Sequence, residues 1–183
     1  VILIYTLDNL KRLIEFQVQG GVDGIVPCGT TGEASTLSYE EHERVIELVV
    51  KFARGRIPVI AGTGANSTEE AIMLTRHAES VGADASLQVS PYYNKPTQHG
   101  LYLHFKAIAE RVKIPIIIYN IASRTGVNIE PETFAKLAQI KNIVGVKESS
   151  GSLEQMARIK NACPSTFLLI SGDDALTLPV MAI

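Results

Sequence analysis

The chain has 183 residues, 46% of them apolar and 20% charged, with a formal net charge of −2, the profile of a globular chain long enough to bury a core. A near-neutral balance without blocks of like charge gives no electrostatic footprint for nucleic acid or an anionic membrane surface, and no apolar run approaches the roughly 20 residues of a membrane-spanning helix. The opening VILIYTLDNLKRL lacks the basic flank and small-residue cleavage site of a signal peptide, so the expectation is a cytoplasmic protein acting on small molecules.

Short β-branched runs alternate with amphipathic segments along the whole chain. In order, they predict strands at VILIYT (1–6), GIVPCG (24–29), PVIAG (58–62), ASLQVSP (85–91), PIIIYN (115–120), IVGVKES (143–149) and TFLLISG (166–172), each bounded by turn residues. Helices fall between them, and three carry start signals. Ser38 with Glu41, Ser67 with Glu70, and Ser152 with Gln155 stand at the spacing of an N-cap and its N3 partner in a capping box. Residues 40–53 set Val45, Ile46, Val49, Val50 and Ala53 on one helical stripe, a face to bury. The chain stops at PVMAI (179–183), within what reads as a seventh helix.

Strands separated each time by a helix pair in parallel through right-handed crossovers, because no tight turn reaches a parallel neighbour. That leaves an open doubly wound sheet or a closed (β/α)8 TIM barrel. The chemically distinctive residues Thr30, Thr31, Tyr92, Tyr93, Tyr119, Lys147 and Gly172 all fall at or just past predicted strand C-termini. Barrel enzymes build their sites there, whereas an open sheet gathers polar groups at one switch point. The expected fold is therefore α/β, a (β/α)8 barrel forming a single domain over residues 1–183. Such a barrel needs eight strands and about 250 residues. The eighth strand is expected to be missing, since an open edge beside the first strand would expose unpaired backbone groups.

Cys28 and Cys163 lie far apart without a metal spacing and read as buried free thiols, a disulfide being the lesser alternative. His42, His77, His99 and His104 show no zinc pattern, so a metal site would have to come from scattered carboxylates.

Lys147 ends the apolar run IVGVK. A lysine so placed either pairs with a carboxylate, Glu148 being nearest in sequence, or serves as a nucleophilic amine. CGTTGE (28–33) brackets two threonines with glycines after a strand, which suits either a tight turn or a cradle for a small anion. Without a P-loop lysine or GxGxxG spacing, a carboxylate fits better than a nucleotide phosphate. Adjacent tyrosines in SPYYNKP (90–96) mean little by themselves. In IIIYN (116–120), alternation puts Ile117 and Tyr119 on one face. Lys147 likewise shares a face with Gly145, whose missing side chain is expected to leave room beneath the amine. A desolvated lysine can attack a ketone to form a Schiff base, and a phenol beside it can shuttle protons. Arg124, in SRTG, is either a solvated loop charge or a fork for a second carboxylate. Cradle, phenol and strand-end lysine together describe a class I aldolase acting on a 2-oxo acid, with Glu148 and the following serines closing the strand and starting the next helix.

From about Leu10 onward, the ordered series GVDGIVPCGTTGE, IPVIAGTGANST, SPYYNKP, YNIASRTG, GVKESSG and SGDD resembles the dihydrodipicolinate synthase (4-hydroxy-tetrahydrodipicolinate synthase) family. The resemblance implies a (β/α)8 barrel with a small C-terminal helical extension and no cofactor beyond a covalent Schiff base of pyruvate on Lys147. It implies condensation of pyruvate with L-aspartate 4-semialdehyde to 4-hydroxy-tetrahydrodipicolinate, in diaminopimelate and lysine biosynthesis, by a homotetramer built as a dimer of dimers. Carried over by position, Lys147 matches the Schiff-base lysine and Tyr119 the proton-transferring phenol. Thr31 and Tyr93 match the rest of the proton relay, the tyrosine being lent by a neighbouring subunit. Thr30 and Thr31 match the pyruvate carboxylate cradle, Arg124 the semialdehyde-binding arginine, and Gly172 a backbone position near the site. Ala34, Ser35, Tyr39, His42, Asn66, Glu70 and Tyr92 match an allosteric pocket for L-lysine, with Tyr39 in place of a histidine found in some inhibited members.

Three departures from the family pattern stand out. Ala122 replaces the usual proline before SRT, which is expected to loosen the arginine loop. The first strand and loop are shorter than the family's, and the eighth strand and C-terminal helices are absent, so the natural protein is expected to be longer. N-acetylneuraminate lyases and 2-keto-3-deoxy sugar acid aldolases share the lysine, tyrosine and cradle, and Arg124 is the feature that sets this chain apart from them. A non-catalytic oxo-acid sensor is a further alternative, which would have no use for an amine and a proton shuttle on adjacent strands.

Overall fold

A computed structural model describes residues 7–183; the strand expected at residues 1–6 lies outside them. Helix α1 (Leu7–Gln19) leads to the turns of residues 27–33 and α2 (Tyr39–Ala53). Then follow β1 (Ile60–Gly62), α3 (Thr68–Ser80), β2 (Ala85–Val89), α4 (Gln98–Ala109) and β3 (Ile116–Asn120). The short turn α5 (Ala122–Thr125) and α6 (Pro131–Leu137) lead to β4 (Ile143–Glu148), α7 (Leu153–Ala162), β5 (Leu168–Ser171) and α8 (Thr177–Met181).

The five strands form one parallel sheet in sequential order, β1 to β5. The segment expected as a strand at residues 24–29 is reduced to a single bridge, Ile25 to Val59. Ile25 donates to Pro58 O, and Ile60 and Gly62 donate back to Ile25 O and Pro27 O. Pro27 has no N–H to return, and Cys28 turns to φ +54, so the ladder stops there.

Helices cover one face only. Ile116, Ile118 and Val146 point outward and pack with Leu101, Phe105 and Ile108 of α4, Phe134 and Leu137 of α6, and Ile159 of α7. The other face gathers Leu87, Ile117 and Tyr119 with Ile60, Val89 and Val144 from the strands and Ile121 from just past β3. Sequential order without a reversal, and helices on a single face, are the plan of a (β/α)8 barrel rather than a doubly wound sheet.

The start signals have unequal outcomes. Ser38 and Glu41 form the full reciprocal capping box. Ser67 and Ser152 cap through their hydroxyls, but the Gln155 side chain turns away to Asn128 and Glu148. On α2, Ile46, Val49 and Ala53 are buried, while Val45 and Val50 are half-buried at the edge of the stripe.

Candidate active site

β3 and β4 are paired so that Tyr119 lies opposite Lys147 and Ile117 opposite Gly145. Alternation sends both functional side chains to the inner face, where Tyr119 packs with Leu87 and Ile117 and is 6% exposed. Lys147 Nζ stands 4.6 Å from the centre of the Tyr119 ring, in reach of the negative face of its π-system. Among the described residues Lys147 makes no ion pair. Pairing with Glu148 is ruled out by direction. The Glu148 side chain is 0% exposed, and its carboxylate accepts from Asn120 Nδ2, Gln155 Nε2 and the Ser150 N–H.

Two glycines shape the ground around the amine. A Cβ on Gly172 would collide with Ser149 Oγ and come within 3.0 Å of Lys147 Cε, so residue 172 lies directly against the lysine stem. Gly145 does not leave the expected room. A Cβ there would sit 2.6 Å from Leu168 Cβ and 2.7 Å from Leu168 O, because β5 presses close and takes that space.

Arg124 is exposed on α5, at the same end of the sheet, and makes no ion pair among the described residues. α5 is closed by Gly126, whose φ of +74° suits a residue without a Cβ. The Gly126 N–H donates to Ala122 O at 2.9 Å, and Thr125 Oγ1 lies 3.0 Å from Ile121 O. Ala122 therefore serves this turn through its backbone carbonyl, and the loop is a closed helical turn. Lys95 lies alongside: a Cβ on Gly126 would be 2.7 Å from Lys95 Cε.

The remaining expected residues sit on loops at the same end of the sheet. Thr30 and Thr31 are both exposed, in turns fixed by Glu33 N–H to Thr30 O and Ala34 N–H to Gly29 O. Tyr93 is 90% exposed at φ +73, with Lys95 at φ +43 two residues on. This loop is stitched to the one before α3, Asn66 Nδ2 donating to Tyr92 O and Asn94 Nδ2 to Asn66 O, each at 3.3 Å.

Of the residues assigned to a regulatory pocket, Tyr92 joins Asn66, Glu70 and Tyr39. Its phenol is held above the usual range by burial, then by the nearby Glu70 and Tyr39. Ala34 and Ser35 form a 3-10 turn ahead of α2. His42 is instead interior, 6% exposed, and burial lowers its basicity. Cys28 and Cys163 are free thiols. The described residues contain no cluster of three His, Cys, Asp or Glu able to hold a metal ion, and no helix long and apolar enough to cross a membrane.

Sequence reasoning missed the environment of Glu148. The available signal was Asn120: at the end of IIIYN, alternation sends its amide outward among helices, where a buried amide must find partners.

The profile of the Dihydrodipicolinate synthetase family matches residues 6–183. The chain is 63% identical over 174 residues to the 4-hydroxy-tetrahydrodipicolinate synthase of Syntrophus aciditrophicus (strain SB), covering 95% of this chain and 60% of that one. Its structure matches the crystal structure of dihydrodipicolinate synthase from Aquifex aeolicus with a TM-score of 0.95 at 57% identity, covering 97% of this chain and 61% of the other. It also matches the chloride-inhibited dihydrodipicolinate synthase from Acinetobacter baumannii complexed with pyruvate, with a TM-score of 0.94 at 50% identity, over 96% and 60% of the two chains. The chain thus spans about three fifths of the length of these relatives. With its profile match, its identities and its one-sided parallel sheet all in agreement, the chain belongs to the dihydrodipicolinate synthetase family.

Proposed function

We propose that this chain forms the catalytic part of a 4-hydroxy-tetrahydrodipicolinate synthase, condensing pyruvate with L-aspartate 4-semialdehyde. The observation that carries the reading is Lys147, on the inner face without an ion pair among the described residues and with its amine 4.6 Å from the Tyr119 ring centre. The neutral amine attacks C2 of pyruvate, and loss of water leaves an iminium that serves as an electron sink. Removal of a C3 proton gives an enamine whose C3 attacks the aldehyde carbon, forming the new carbon–carbon bond. The substrate's own amino group then adds to the iminium carbon and expels Lys147, closing the ring. Tyr119, with Thr31 and the exposed Tyr93 of an adjacent subunit, moves the protons these steps require. Thr30 and Thr31 receive the pyruvate carboxylate beside Gly172, and Arg124 grips the second substrate by a two-pronged hydrogen bond.

The same reading covers assembly and control. A 90% exposed tyrosine in a strained loop suits a side chain lent to a second copy, in a tight dimer that pairs into a tetramer of single-domain subunits in the cytoplasm. Asn66, Glu70 and Tyr92, with Tyr39 near, suit an amino acid's ammonium and carboxylate, hence feedback by L-lysine. A lysine titration that leaves initial rates unchanged at millimolar concentration rejects that control. For the reaction itself, the complete polypeptide is incubated with pyruvate, reduced with borohydride and mapped by mass spectrometry. A pyruvate-derived adduct on Lys147 is expected, and its absence sinks the mechanism.

A further inference from the structure

Glu148 is the most confined charged side chain near the site. Its 0% exposed carboxylate faces away from Lys147 and, among the described residues, is met only by neutral donors. Oε1 accepts from the Ser150 N–H at 2.6 Å and Oε2 from Gln155 Nε2 at 3.2 Å, while Asn120 Nδ2 reaches both oxygens, at 3.2 and 2.9 Å. A buried carboxylate is costly unless every lone pair is engaged, so this fixture holds its parts to one arrangement.

Asn120 makes the fixture bear on the site. Its Nδ2 also reaches Asn128 Oδ1 at 2.8 Å, and its Oδ1 accepts from the Ile129 N–H at 3.0 Å. Asn128 and Gln155 are joined in both directions, at 2.7 and 3.1 Å, and Gln98 Nε2 holds Asn128 O at 2.7 Å. Asn120 is where the chain leaves β3 for the excursion that carries Arg124, and Asn128 and Ile129 are where that excursion returns. One amide therefore pins both ends of the Arg124 loop and ties them to the residue after Lys147. Asn120 itself follows Tyr119, and Asn120 and Glu148 are register partners just as Tyr119 and Lys147 are.

We propose that Glu148 is a positioning residue: through Asn120 and Asn128 it sets the Arg124 loop and the Lys147–Tyr119 pair in one geometry, so that the two substrates meet. The inference rests on the roles proposed above for Lys147 and Arg124. It divides the fixture into a loop limb, Asn128, and a strand limb, Glu148 itself.

The two limbs are tested separately in the complete polypeptide. Asn128→Ala removes the loop limb's side-chain bonds to Asn120 and Gln155 and leaves the Glu148–Asn120 bonds and the backbone bonds at Asn128 and Ile129. The KM for aspartate semialdehyde is expected to rise about tenfold, the scale of a small misplacement of a binding group, with the rate of borohydride trapping of pyruvate on Lys147 unchanged. Glu148→Gln keeps the shape but turns an N–H donor toward the neutral donors of Asn120 or Gln155. Trapping rate and kcat are both expected to fall about tenfold. An unchanged semialdehyde KM in Asn128→Ala, or losses for both substrates that merely track a lower Tm, overturns the proposal. Should Glu148→Gln fail to fold, Asn128→Ala, at a half-buried side chain, decides alone. Failure of the unaltered protein to label at Lys147 would fail the aldolase reading instead, before any variant is compared.

Discussion

The site has two halves built in different ways. Lys147 and Tyr119 stand on paired strands in the middle of the sheet, with Gly172 pressed against the lysine stem and the Glu148 carboxylate locked behind them. Thr31 and Tyr93 stand on exposed turns, Tyr93 at a positive φ, and neither side chain hydroxyl is hydrogen bonded among the described residues. The strand half is over-determined by register and packing, which suits the fixed amine that the covalent step proposed for Lys147 needs. The loop half is left to be completed by what docks on it, which suits groups that receive substrate and pass protons.

The largest effect should come from the fixed half. Lys147→Arg keeps a cation against the Tyr119 face but offers no amine that can form an imine with pyruvate. Turnover should fall by about 10³-fold or more, equivalent to at least about 4 kcal/mol of barrier, with circular dichroism unchanged. Residual turnover within tenfold of the parent would show that the strand half does not carry the covalent step.

Acid should separate the halves next. His104 is 6% exposed, its Nδ1 2.9 Å from Thr68 Oγ1, tying α4 to the start of α3 beneath the loop half. Burial pushes its pKa down to about 4, while the unfolded chain takes up that proton near 6.5. Between those values the unfolded state binds more protons, so stability falls as pH drops from about 6.5 and levels off below about 4. The loss approaches roughly 3 kcal/mol, and the buried His42 under the 28–33 turns adds in the same direction. Hydrogen exchange should rise first in the leading turns of α2, α3 and α4, before β3 and β4. Simultaneous loss of protection in both halves would contradict the contrast.

Gly145→Ala attacks the fixed half through packing alone. The new Cβ would meet Leu168 at 2.6 Å, an overpacking worth about 1–3 kcal/mol. Urea unfolding is expected to show a lower midpoint at constant m-value, and a neutral result would mean that β5 can move aside.

Much of this was legible from the residues. Alternation in IIIYN and GVK placed Tyr119 and Lys147 on one face because a strand has a period of two and register transmits it to its neighbour. The sequential sheet followed from helices between successive strands. The residues around Gly145 were less legible, since space beneath a glycine depends on how closely the next strand approaches, a matter of β5 rather than of β4. Residues 24–29 read as a strand by composition, yet Pro27 and the turn at Cys28 cut the ladder to one bridge. The Glu148 fixture gathers residues separated by 8 and 27 to 28 positions, and no local periodicity announces such a meeting.

The smallest effect is the most informative about the loop half. Tyr93 holds φ +73 with its side chain 90% exposed, a conformation that costs an ordinary residue about 1 kcal/mol and glycine almost nothing. Tyr93→Gly removes that strain but adds freedom to the unfolded chain, which offsets it, and an exposed ring contributes little packing to its own subunit. Thermal stability measured at low protein concentration should therefore stay within about 0.5 kcal/mol of the parent. Turnover should nevertheless fall by about tenfold or more, the lower end of what a proton-transfer group supplies, with pyruvate trapping on Lys147 preserved. Tyr93→Phe, which keeps the ring and the backbone demand, should share the loss of turnover. If Phe is fully active while Gly is not, the ring is a docking group rather than a proton carrier, and the relay ends at Thr31 and Tyr119.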